Sequence, residues 1–596
     1  MSEQAIQGGG FLLYKTDANN VFIPESWDEE EKMVAQMCED FLEAEVNPKL
    51  DDIDDMEEGL MASLIEKAGE LGLLSISLPE EYGGLGKDFR TAMLVTEKLG
   101  AGHSFAVAFA AHTGIGTLPI LYYGTPEQKE KYLPKLASGE WKGAYCLTEP
   151  DSGSDANAAK SRAKLNEAGT HYILNGQKMW ITNAGFADVF IVFAKIDDDK
   201  KLSAFIVEKT FPGLSLGAEE RKMGIKGSST RQVFFTECEV PVENLLAERE
   251  EGFKIAVNIL NLGRIKLGGA ALGGAKAVVH QSVKYSKERI QFGKRIQEFG
   301  AIQHKLAEQA IKTYVTESAT YRSSHDVQLA IERLMSEGLS EEDAKLKAME
   351  EFSIEAAIVK VHASEALDFV ADEGVQIYGG MGYSAEAPME RSYRDSRINR
   401  IFEGTNEINR LLTFDMMVRK AMKGTLPLLS AAQNVAKEMM AIPDFNQEKT
   451  TDPIALGLET VEGFKKAILM ISGAALQKYM QGIADHQELI MYIADMLIEV
   501  YAAESVLLRV QKIKNQSIAD AHYEEKVLMA EVYTYEAALK IAQWGQKAIA
   551  AFAEGDEGRM MQMALRRFTK VDPMDVISKR RAIAKPMIEA DKYVYS

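Results

Sequence analysis

Cysteine and positive charge are both scarce in this chain. Only Cys38, Cys146 and Cys238 occur among 596 residues. A disulfide framework or a cysteine-based zinc site needs closely or regularly spaced cysteines, so the sequence excludes both and favours a reducing compartment. The 68 basic residues are outnumbered by 89 acidic ones, which gives a formal net charge of −21. Because nucleic-acid-binding proteins present basic surfaces, no nucleic-acid partner is expected.

Recognisable targeting segments are also lacking. The opening MSEQAIQGGGFLLYKTD has no basic segment before a long apolar run and is not arginine-rich, so neither a signal nor a transit peptide is predicted. We also expect no uncharged apolar run of about 18 residues, the length that spans a membrane. The predicted localisation is cytoplasmic. A basic group near the C-terminus could contact anionic lipid peripherally or form a solvated face; it comprises Arg566, Arg567, Lys570, Lys579, Arg580 and Arg581.

The hydrophobic pattern divides the chain into units, because 596 residues are too many for one core. Apolar residues follow helical spacing up to about residue 143, alternate with a period of two from about 158 to 241, and return to helical spacing from 252 onward. We predict an α+β, mainly α, fold. Its units are an N-terminal helical domain (1–148), a middle β domain with a barrel-like sheet (149–251), a helical bundle (252–422) and an additional helical domain (423–596).

Two short patterns within these units carry structural predictions. HYILNGQKMWIT predicts a hairpin that turns at Asn175-Gly176, because both residues tolerate a positive φ. LGGAALGGAKA is glycine-rich but lies in a helical run rather than after a strand. It therefore indicates close helix packing and not a dinucleotide-binding loop.

A faint internal repeat links the last two units. Residues 306–322 and 493–509 share Tyr-x-x-Glu-Ser-x-x-x-Arg, and KVHASEAL resembles the later EVYTYEAAL. The two offsets differ by 16 residues, about the length of the acidic stretch MSEGLSEEDAKLKAMEEF. We interpret residues 423–596 as a degenerate duplicate of the preceding bundle that lacks this insertion. Chance similarity between amphipathic helices is the alternative.

Several motifs could form a ligand site. The Gly/Ser-rich run AYCLTEPDSGSDA could line a ligand with backbone amides or form a polar surface turn. Trp180 and Thr182, two apart on a strand, could face a flat heteroaromatic ring or belong to the core. Arg289 and Phe292 could hold a pyrophosphate and an aromatic base, or be a solvated arginine beside a core ring. GVQIYGGMGY could approach a ligand closely or simply end a helix.

The segment RINRIFEGTNEINR places a single carboxylate in a short break between two helical stretches. Glu403 follows the apolar pair Ile401-Phe402 and precedes a glycine. An ordinary turn would explain this pattern. So would a general base, because burial behind apolar side chains raises the pKa of a carboxyl group toward neutrality.

The motifs YCLTEPDSGSD, WITNAG, MGIKGSST, RIQFGK, QIYGGMGY and RIFEGTNEI, in this order, resemble the acyl-CoA dehydrogenase family. The additional C-terminal unit is similar to the very-long-chain branch of that family. The resemblance implies a four-helix bundle at 252–422, an FAD cofactor, an acyl-CoA substrate, electron-transfer flavoprotein as electron acceptor, and a homodimer rather than the tetramer common in the family.

The resemblance also implies roles for individual residues. Glu403 matches the base of the Glu-Gly-Thr motif; family members with the base before the arginine equivalent to Arg264 differ, because Gly263 stands there. Implied cofactor contacts are Tyr145, Cys146, Leu147, Thr148, Gly153, Ser154, Trp180, Ile181, Thr182, Arg289, Phe292, Gln376, Gly379, Gly380, Thr405 and Glu407. Implied substrate contacts are Ser154, Arg264 and Gly404, with Ser154 and Arg264 near the coenzyme A arm and its phosphates. No metal is implied.

The function implied by the resemblance is FAD-dependent oxidation of long-chain acyl-CoA to trans-2-enoyl-CoA in fatty acid β-oxidation. The alternatives are an acyl-CoA oxidase that uses O₂ and a homologue that serves as an assembly scaffold. The acyl pocket is expected beneath AAHTGIGTLPILYYG, where Gly114, Gly116 and Thr117 are small enough to leave room for a long chain.

Overall fold

The N-terminal unit is helical, as predicted. The structure is a computed structural model that describes residues 7–439 and 450–595. The first helix begins after Asp28 in a capping box, in which Asp28 and Glu31 each accept a hydrogen bond from the other's backbone N–H. The helices are α1 Glu29–Phe41, α2 Leu50–Asp54, α3 Leu60–Glu70, α4 Phe89–Leu99, α5 Ser104–Ala110, α6 Leu118–Tyr123 and α7 Pro126–Ser138; the π-helical turn Ala111–Gly116 joins α5 to α6.

The middle unit is one eight-stranded sheet. Its strands are β1 Gly143–Cys146, β2 Arg162–Leu165, β3 His171–Thr182, β4 Val189–Ile196, β5 Ser203–Glu208, β6 Leu214–Glu219, β7 Thr230–Pro241 and β8 Leu245–Leu246. The order β6-β7-β3-β2-β4-β5-β8, with β1 parallel to β4, is open and not closed into a barrel. Because β1 belongs to the sheet, the β unit begins before the predicted boundary at residue 149.

The hairpin predicted at Asn175-Gly176 is wrong. Strand β3 runs straight through both residues, with Asn175 opposite Arg162 on β2 and Gly176 opposite Phe235 on β7. A β-bulge lies between Leu174 and Gly176. A side chain at Gly176 would collide with the neighbouring backbone and side chain of residue 161, so this glycine serves close strand packing and not a turn.

The third unit is a helical bundle that carries a short β-hairpin. Its elements are α8 Gly252–Glu288, β9 Ile290–Gln291, β10 Lys294–Arg295, α9 Gly300–Ser336, α10 Glu341–Glu351, α11 Ser353–Tyr378, α12 Pro388–Ser396 and α13 Asn406–Met422. A Cβ at Gly273 would collide with the carbonyl oxygen of Glu97 on α4. The glycine-rich run on α8 therefore allows close helix packing, as predicted.

The fourth unit packs against the third through an unusually symmetrical contact. Its helices are α14 Leu428–Met439, α15 Pro453–Tyr479, α16 Gln487–Asn515, α17 Tyr523–Phe552, α18 Gly555–Phe568 and α19 Val576–Ala590. Helices α9 and α16 carry the two copies of the repeat and contact each other. The α+β, mainly helical fold class is confirmed.

Arginines of the two repeat copies exchange partners across this contact. Arg322 on α9 pairs with Glu504 on α16 at 2.8 Å, and its guanidinium lies 4.7 Å from the Tyr501 ring centre. Each of these three residues belongs to the repeated motif. The exchange is what two related bundles produce when they face each other across an approximate two-fold axis.

The reverse exchange completes the symmetry. Arg509 on α16 pairs with Glu317 on α9 at 2.7 Å, and its guanidinium lies 4.2 Å from the Tyr314 ring centre. We propose on this basis that residues 423–596 descend from a copy of the preceding bundle, docked on it as a second subunit would be.

Two predictions about surfaces need correction. Ser104–Tyr123 and Gly252–Glu288 are long and apolar enough to cross a membrane, although 72% and 67% of their apolar windows lie buried inside the protein. The prediction that no such stretch exists is therefore wrong. The C-terminal basic group is not one free surface either, because Arg580 is buried against Glu308 and Glu536.

Substituting Arg509 with Met tests the reciprocal contact. Arg509 pairs with the buried carboxylates of both Glu317 and Glu25, and the change removes this shared partner. Glu317 keeps Lys276 as a partner and Glu25 keeps Lys526, so we expect a loss of about 1.5–3 kcal/mol of stability, the range for lost hydrogen bonds to charged groups. The measurement is the urea midpoint, with the exposed Arg419→Met as control. Equal midpoints for both variants would contradict the energetic role of the contact.

Candidate active site

Glu403 lies in the loop between two helical elements of the bundle. A 3-10 turn, Arg397–Arg400, precedes it, and α13 begins at Asn406. Both Glu403 and Gly404 have a positive φ, of 56° and 80°. Glycine adopts this conformation without strain, whereas glutamate does so only when the surroundings enforce it. Thr405 then caps α13, since its hydroxyl accepts a hydrogen bond from the N–H of Ile408.

Two donors from neighbouring helices fix the loop backbone. Lys360 on α11 donates from Nζ to the Gly404 carbonyl at 2.8 Å and to Oδ1 of Asn406 at 2.7 Å. Asn409 on α13 donates from Nδ2 to the same Gly404 carbonyl at 2.7 Å. These bonds supply the constraint that the positive φ values at 403 and 404 require.

Arg264 on α8 is buried beside the loop. It donates from Nε to the Glu403 carbonyl at 3.3 Å and from Nη1 to Oδ1 of Asn261 at 2.7 Å. Only 6% of its surface is exposed. The structure therefore makes Arg264 a support of the loop beside Glu403, and its implied place near the coenzyme A arm and its phosphates stays a prediction.

The surroundings of the Glu403 carboxyl group shift its pKa. Removal from bulk water raises its pKa to about 7, against the opposing pull of Arg264 and Lys360. Its Oε2 is buried and has no hydrogen-bond partner in residues 7–439 and 450–595. A Cβ at position 263 would lie 2.8 Å from Oε2. Gly263 is thus required to make room for the carboxylate, and any side chain there would displace it.

The carboxylate borders an elongated cavity of about 410 Å³. One wall is a stripe along α8 that begins at Ile259, passes Gly263 and ends at Gln281. Between these ends the stripe includes mostly small or apolar side chains, namely Leu267, Ala270, Ala271, Gly274, Ala277 and Val278. The opposite side includes residues of α5 and of the π-helical turn, among them Val107 and Gly114.

The expected acyl pocket beneath the α5–α6 segment is only partly correct. Gly114 lines the cavity, and a Cβ there would meet no atom within 4 Å. Gly116 instead packs on the backbone of Gly143. Thr117 donates its hydroxyl to the His112 carbonyl at 2.7 Å and is buried. The space is opened chiefly by small residues of α8, which no local pattern in the α5–α6 segment could indicate.

The β unit contributes Thr182 to the same cavity. Trp180 is 52% exposed and has a φ of 61° at a β-bulge between Lys178 and Ile181. Thr182 and Trp180 flank Ile181, whose side chain is buried in the sheet core. An exposed indole beside a threonine hydroxyl fits a flat heteroaromatic ring. Ile181 itself can contact such a ring only through its backbone.

The residues from Tyr145 to Ser154 are buried at the start of the run and exposed at its end. Cys146 is fully buried in the sheet core, and Leu147 is buried as well, so neither side chain faces a ligand. The Tyr145 hydroxyl is buried without a described partner, and burial beside Glu403 holds its pKa well above the usual value. Gly153 and Ser154 are exposed, and a Cβ at Gly153 would meet nothing within 4 Å. Thr148 is not part of the cavity wall.

Five of the remaining implied cofactor residues lie at one end of the bundle, outside the cavity, namely Arg289, Phe292, Gln376, Gly379 and Gly380. Arg289 and Gln376 are exposed, and Phe292 is 94% exposed with a φ of 52°. Tyr285 stacks on Tyr378 at 3.9 Å, which joins the ends of α8 and α11 that carry these motifs.

This exposed end has room for a cofactor. A Cβ at Gly379 or Gly380 would meet no atom within 4 Å. Exposed aromatic and cationic side chains together with open glycines fit an adenine dinucleotide. Of the two residues after the base, Glu407 is exposed, whereas the hydroxyl of Thr405 is engaged in capping.

Family models match most of the chain. Acyl-CoA dehydrogenase N-terminal, middle and C-terminal domains match residues 28–140, 144–238 and 250–417, and a further C-terminal domain matches 463–567. A probable acyl-CoA dehydrogenase of Bacillus subtilis is 47% identical over 98% of both chains. The very long-chain specific acyl-CoA dehydrogenase of Rattus norvegicus is 37% identical over 86% of this chain and 78% of its own. The chain belongs to the acyl-CoA dehydrogenase family.

Solved structures agree with this assignment. The acyl-CoA dehydrogenase from Bacillus anthracis, complexed with FAD, superposes with a TM-score of 0.94 at 47% identity and covers 99% of this chain and all of its own. A chain in the structure of the electron transferring flavoprotein of Acidaminococcus fermentans has a TM-score of 0.59 at 37% identity, over 67% of this chain and 99% of its own.

Sequence reasoning missed the residues that hold the base of this acyl-CoA dehydrogenase. Lys360 begins the quoted repeat segment KVHASEAL, and Asn409 lies within RINRIFEGTNEINR, yet sequence reasoning assigned neither residue a role in holding the base. One signal was available for Lys360, which is a lone lysine within the apolar run AAIVKV. A buried lysine is rare unless it has a partner, and here the partner is the backbone of the catalytic loop.

Substituting Lys360 with Met tests its influence on the base. Lys360 lowers the pKa of Glu403, so its loss raises that pKa further and less carboxylate is present at pH 7. We expect the rising limb of the pH dependence of kcat to move about 1 pH unit higher. The measurement is acyl-CoA turnover against pH, with the exposed Lys347→Met as control. If turnover falls but the rising limb of the pH profile does not move, Lys360 has only a structural role.

Proposed function

We propose that this acyl-CoA dehydrogenase is FAD-dependent and oxidises long-chain acyl-CoA thioesters to trans-2-enoyl-CoA in fatty acid β-oxidation. The observation that carries the proposal is the Glu403 carboxyl group, which has a pKa of about 7 and faces an elongated, largely apolar cavity. A structural carboxylate would instead be paired, as the buried Glu317 and Glu504 are.

Glu403 acts as the base that removes a proton from C2 of the thioester. The C2–H bond is a very weak acid, so an ordinary exposed carboxylate is too weak a base to be effective. Exclusion of water raises the basicity of Glu403, and the loop bonds from Lys360 and Asn409 hold it in place. Gly404 adopts its positive φ without strain, and a Cβ there would lie 3.2 Å from Nδ2 of Asn409, which holds the loop.

Residues of the β unit and of the bundle end would hold FAD. Thr182 and Trp180 would position its ring system beside the cavity, and Arg289 and Phe292 its adenine dinucleotide portion. Bound FAD would accept the hydride that leaves C3. The complex of the Bacillus anthracis relative with FAD supports this cofactor.

The preference for long chains is supported by the length of the cavity. Gln281 lies 18 positions after Gly263 on α8, and a helix rises about 1.5 Å per residue, so this part of the stripe extends about 27 Å. That span suits a long acyl chain far better than a butyryl group. The similarity to very long-chain specific relatives points in the same direction.

We further propose that electron-transfer flavoprotein takes the electrons. The relative that forms part of an electron transferring flavoprotein structure supports this partner over O₂, and the dehydrogenase names of the similar proteins favour it over the oxidase alternative. A pure scaffold role is disfavoured because a scaffold has no need for an unpaired buried carboxylate.

A homodimer and a cytoplasmic location complete the proposal. The exposed Phe292 and the open Gly379 and Gly380 are suited to a site that a second copy covers. The fourth unit occupies the α9 face of the bundle, so that face is not free for a further subunit. Peripheral contact with a membrane stays compatible with this arrangement.

Substituting Glu403 with Gln tests the assigned reaction. The amide keeps the shape of the side chain but cannot take a proton. We expect bound FAD and acyl-CoA affinity to be retained, while turnover of hexadecanoyl-CoA with electron-transfer flavoprotein falls by about 10² to 10⁴, the range for loss of a general base. The exposed Glu386→Gln is the matched control. Near wild-type turnover in Glu403→Gln would refute the assignment.

Substituting Ala277 with Leu tests the path of the acyl chain. Ala277 lines the cavity far from the base, and the larger side chain fills space that only a long chain needs. We expect kcat/KM for hexadecanoyl-CoA to fall about 10-fold or more, in line with overpacking costs of about 1–3 kcal/mol, and that for butyryl-CoA to stay unchanged. Equal effects on both substrates, or a wild-type preference for butyryl-CoA, would contradict this path.

A further inference from the structure

A histidine and an aspartate form a polar pair in the wall of the cavity. Nδ1 of His103, just before α5, lies 2.9 Å from Oδ2 of Asp395 on α12, and both residues line the cavity. Because an ionised carboxylate only accepts hydrogen bonds, the proton of this bond is on Nδ1. Nε2, the other ring nitrogen, forms no hydrogen bond within residues 7–439 and 450–595 and is not closed off by protein atoms. It is therefore free to bind a ligand.

His103 stands on the side of α5 that faces the cavity. Phe105, Ala108 and Phe109 lie on the other side of this helix, in a hydrophobic core cluster. The His103 side chain is 16% exposed, and its place on the cavity side directs this exposed part toward the cavity. Other cavity-lining residues follow it at helical spacing, namely Ala106, Val107, Ala110 and Gly114.

The orientation of the imidazole ring is enforced by its surroundings. Asp395 is buried, and its Oδ1 accepts a hydrogen bond from the N–H of Ile225 at 2.5 Å. Ile225 and His103 both have a positive φ, of 45° and 53°. This conformation is strained for a residue other than glycine and persists only where the surroundings impose it. Asp395 thus holds the ring from its Nδ1 side, and Nε2 remains available.

His103 lies well away from the base, along the path of the acyl chain. The 3-10 turn Gly100–Gly102 comes directly before it. This turn packs on α8, where a Cβ at Gly100 would lie 2.3 Å from the carbonyl oxygen of Ala270. Ala270 follows Gly263 by seven residues, or about 10.5 Å along the helix axis. His103 is therefore placed to meet the middle of a long chain and not its thioester end.

The chemistry of the pair favours a hydroxyl group as the partner of Nε2. In the neutral ring Nε2 accepts a hydrogen bond from a hydroxyl, and in the protonated ring it donates one to the hydroxyl oxygen. A ketone could bond only to the protonated ring. A carboxylate would be repelled by Asp395, which already offsets the charge of the ring. A methylene group would leave Nε2 unpaired, so a hydroxyl is the group that suits both protonation states.

We propose that the cavity accepts acyl-CoA thioesters with a hydroxyl group in the middle of the chain, and that Nε2 of His103 binds this hydroxyl. The inference rests on the proposed function and extends its substrate class to mid-chain hydroxyacyl-CoA. The reaction at C2 and C3 is unchanged, because His103 contacts neither carbon.

The test uses hexadecanoyl-CoA substrates that carry one hydroxyl at successive carbons from C6 to C15, together with the plain substrate. We expect kcat/KM of the wild-type protein to peak at one or two neighbouring positions, about 5- to 10-fold above the other isomers, the range for one net hydrogen bond. His103→Leu should abolish this peak and oxidise plain hexadecanoyl-CoA at least as well as wild type. The exposed His304→Leu is the matched control and should keep the peak.

Binding to the wild-type protein gives a readout that needs neither turnover nor a variant. By calorimetry, the 2-enoyl-CoA products of the same series should show maximal affinity at the hydroxyl position preferred in turnover. A flat profile across the series, or a peak that persists in His103→Leu, would overturn the hydroxyl site even if plain substrates are oxidised. Failure of the wild-type protein to oxidise any acyl-CoA would instead overturn the proposed function.

Discussion

Exclusion of water from one unpaired carboxylate is the constraint around which this protein is built. Oε2 of Glu403 has no described hydrogen-bond partner, and burial raises the pKa of the group to about 7. A buried ionisable group without a partner is unstable by itself, so the surrounding structure must enforce it. The loop bonds from Lys360, Asn409 and Arg264 do so through the backbone and leave the carboxylate free.

The rest of the fold also contributes to the burial and placement of the Glu403 carboxylate. Gly263 clears the space for the carboxylate, and the small residues of α8 extend that space into a chain-length cavity. Thr182 of the β unit forms part of the cavity wall. The fourth unit lies farther away and supports the bundle through the reciprocal pairs of Arg322 and Arg509, which fix α9 from outside.

Much of this could be predicted from the sequence because it is encoded locally. The order of helical and β units follows from hydrophobic periodicity, and Glu403 was identified from its own motif. The errors arose where distant segments meet. The hairpin at Asn175-Gly176 failed because the glycine accommodates the chain at residue 161. The side chains of Cys146 and Ile181 face the sheet core, so only their backbones could contact a cofactor, a distinction that requires the register of β1 and β3.

Roles that depend on helix packing could not be predicted in this way. Lys360 and Lys266 are both lysines in long helices, yet one binds a backbone carbonyl and the other faces a cavity. Arg264 resembles a phosphate-binding residue in sequence but is engaged by Glu403 and Asn261. In each case the three-dimensional neighbours, and not the local pattern, decide what the charge does.

The most direct test of the account isolates proton removal from oxidation. A 3-thia-acyl-CoA has no hydrogen at position 3 and cannot be dehydrogenated, so deuterium entry at C2 in D₂O reports the base alone. The account predicts exchange at C2, detected by NMR, in the FAD-loaded wild-type protein and its loss in Glu403→Gln. Exchange that continues at the wild-type rate in Glu403→Gln would show that another group removes the proton.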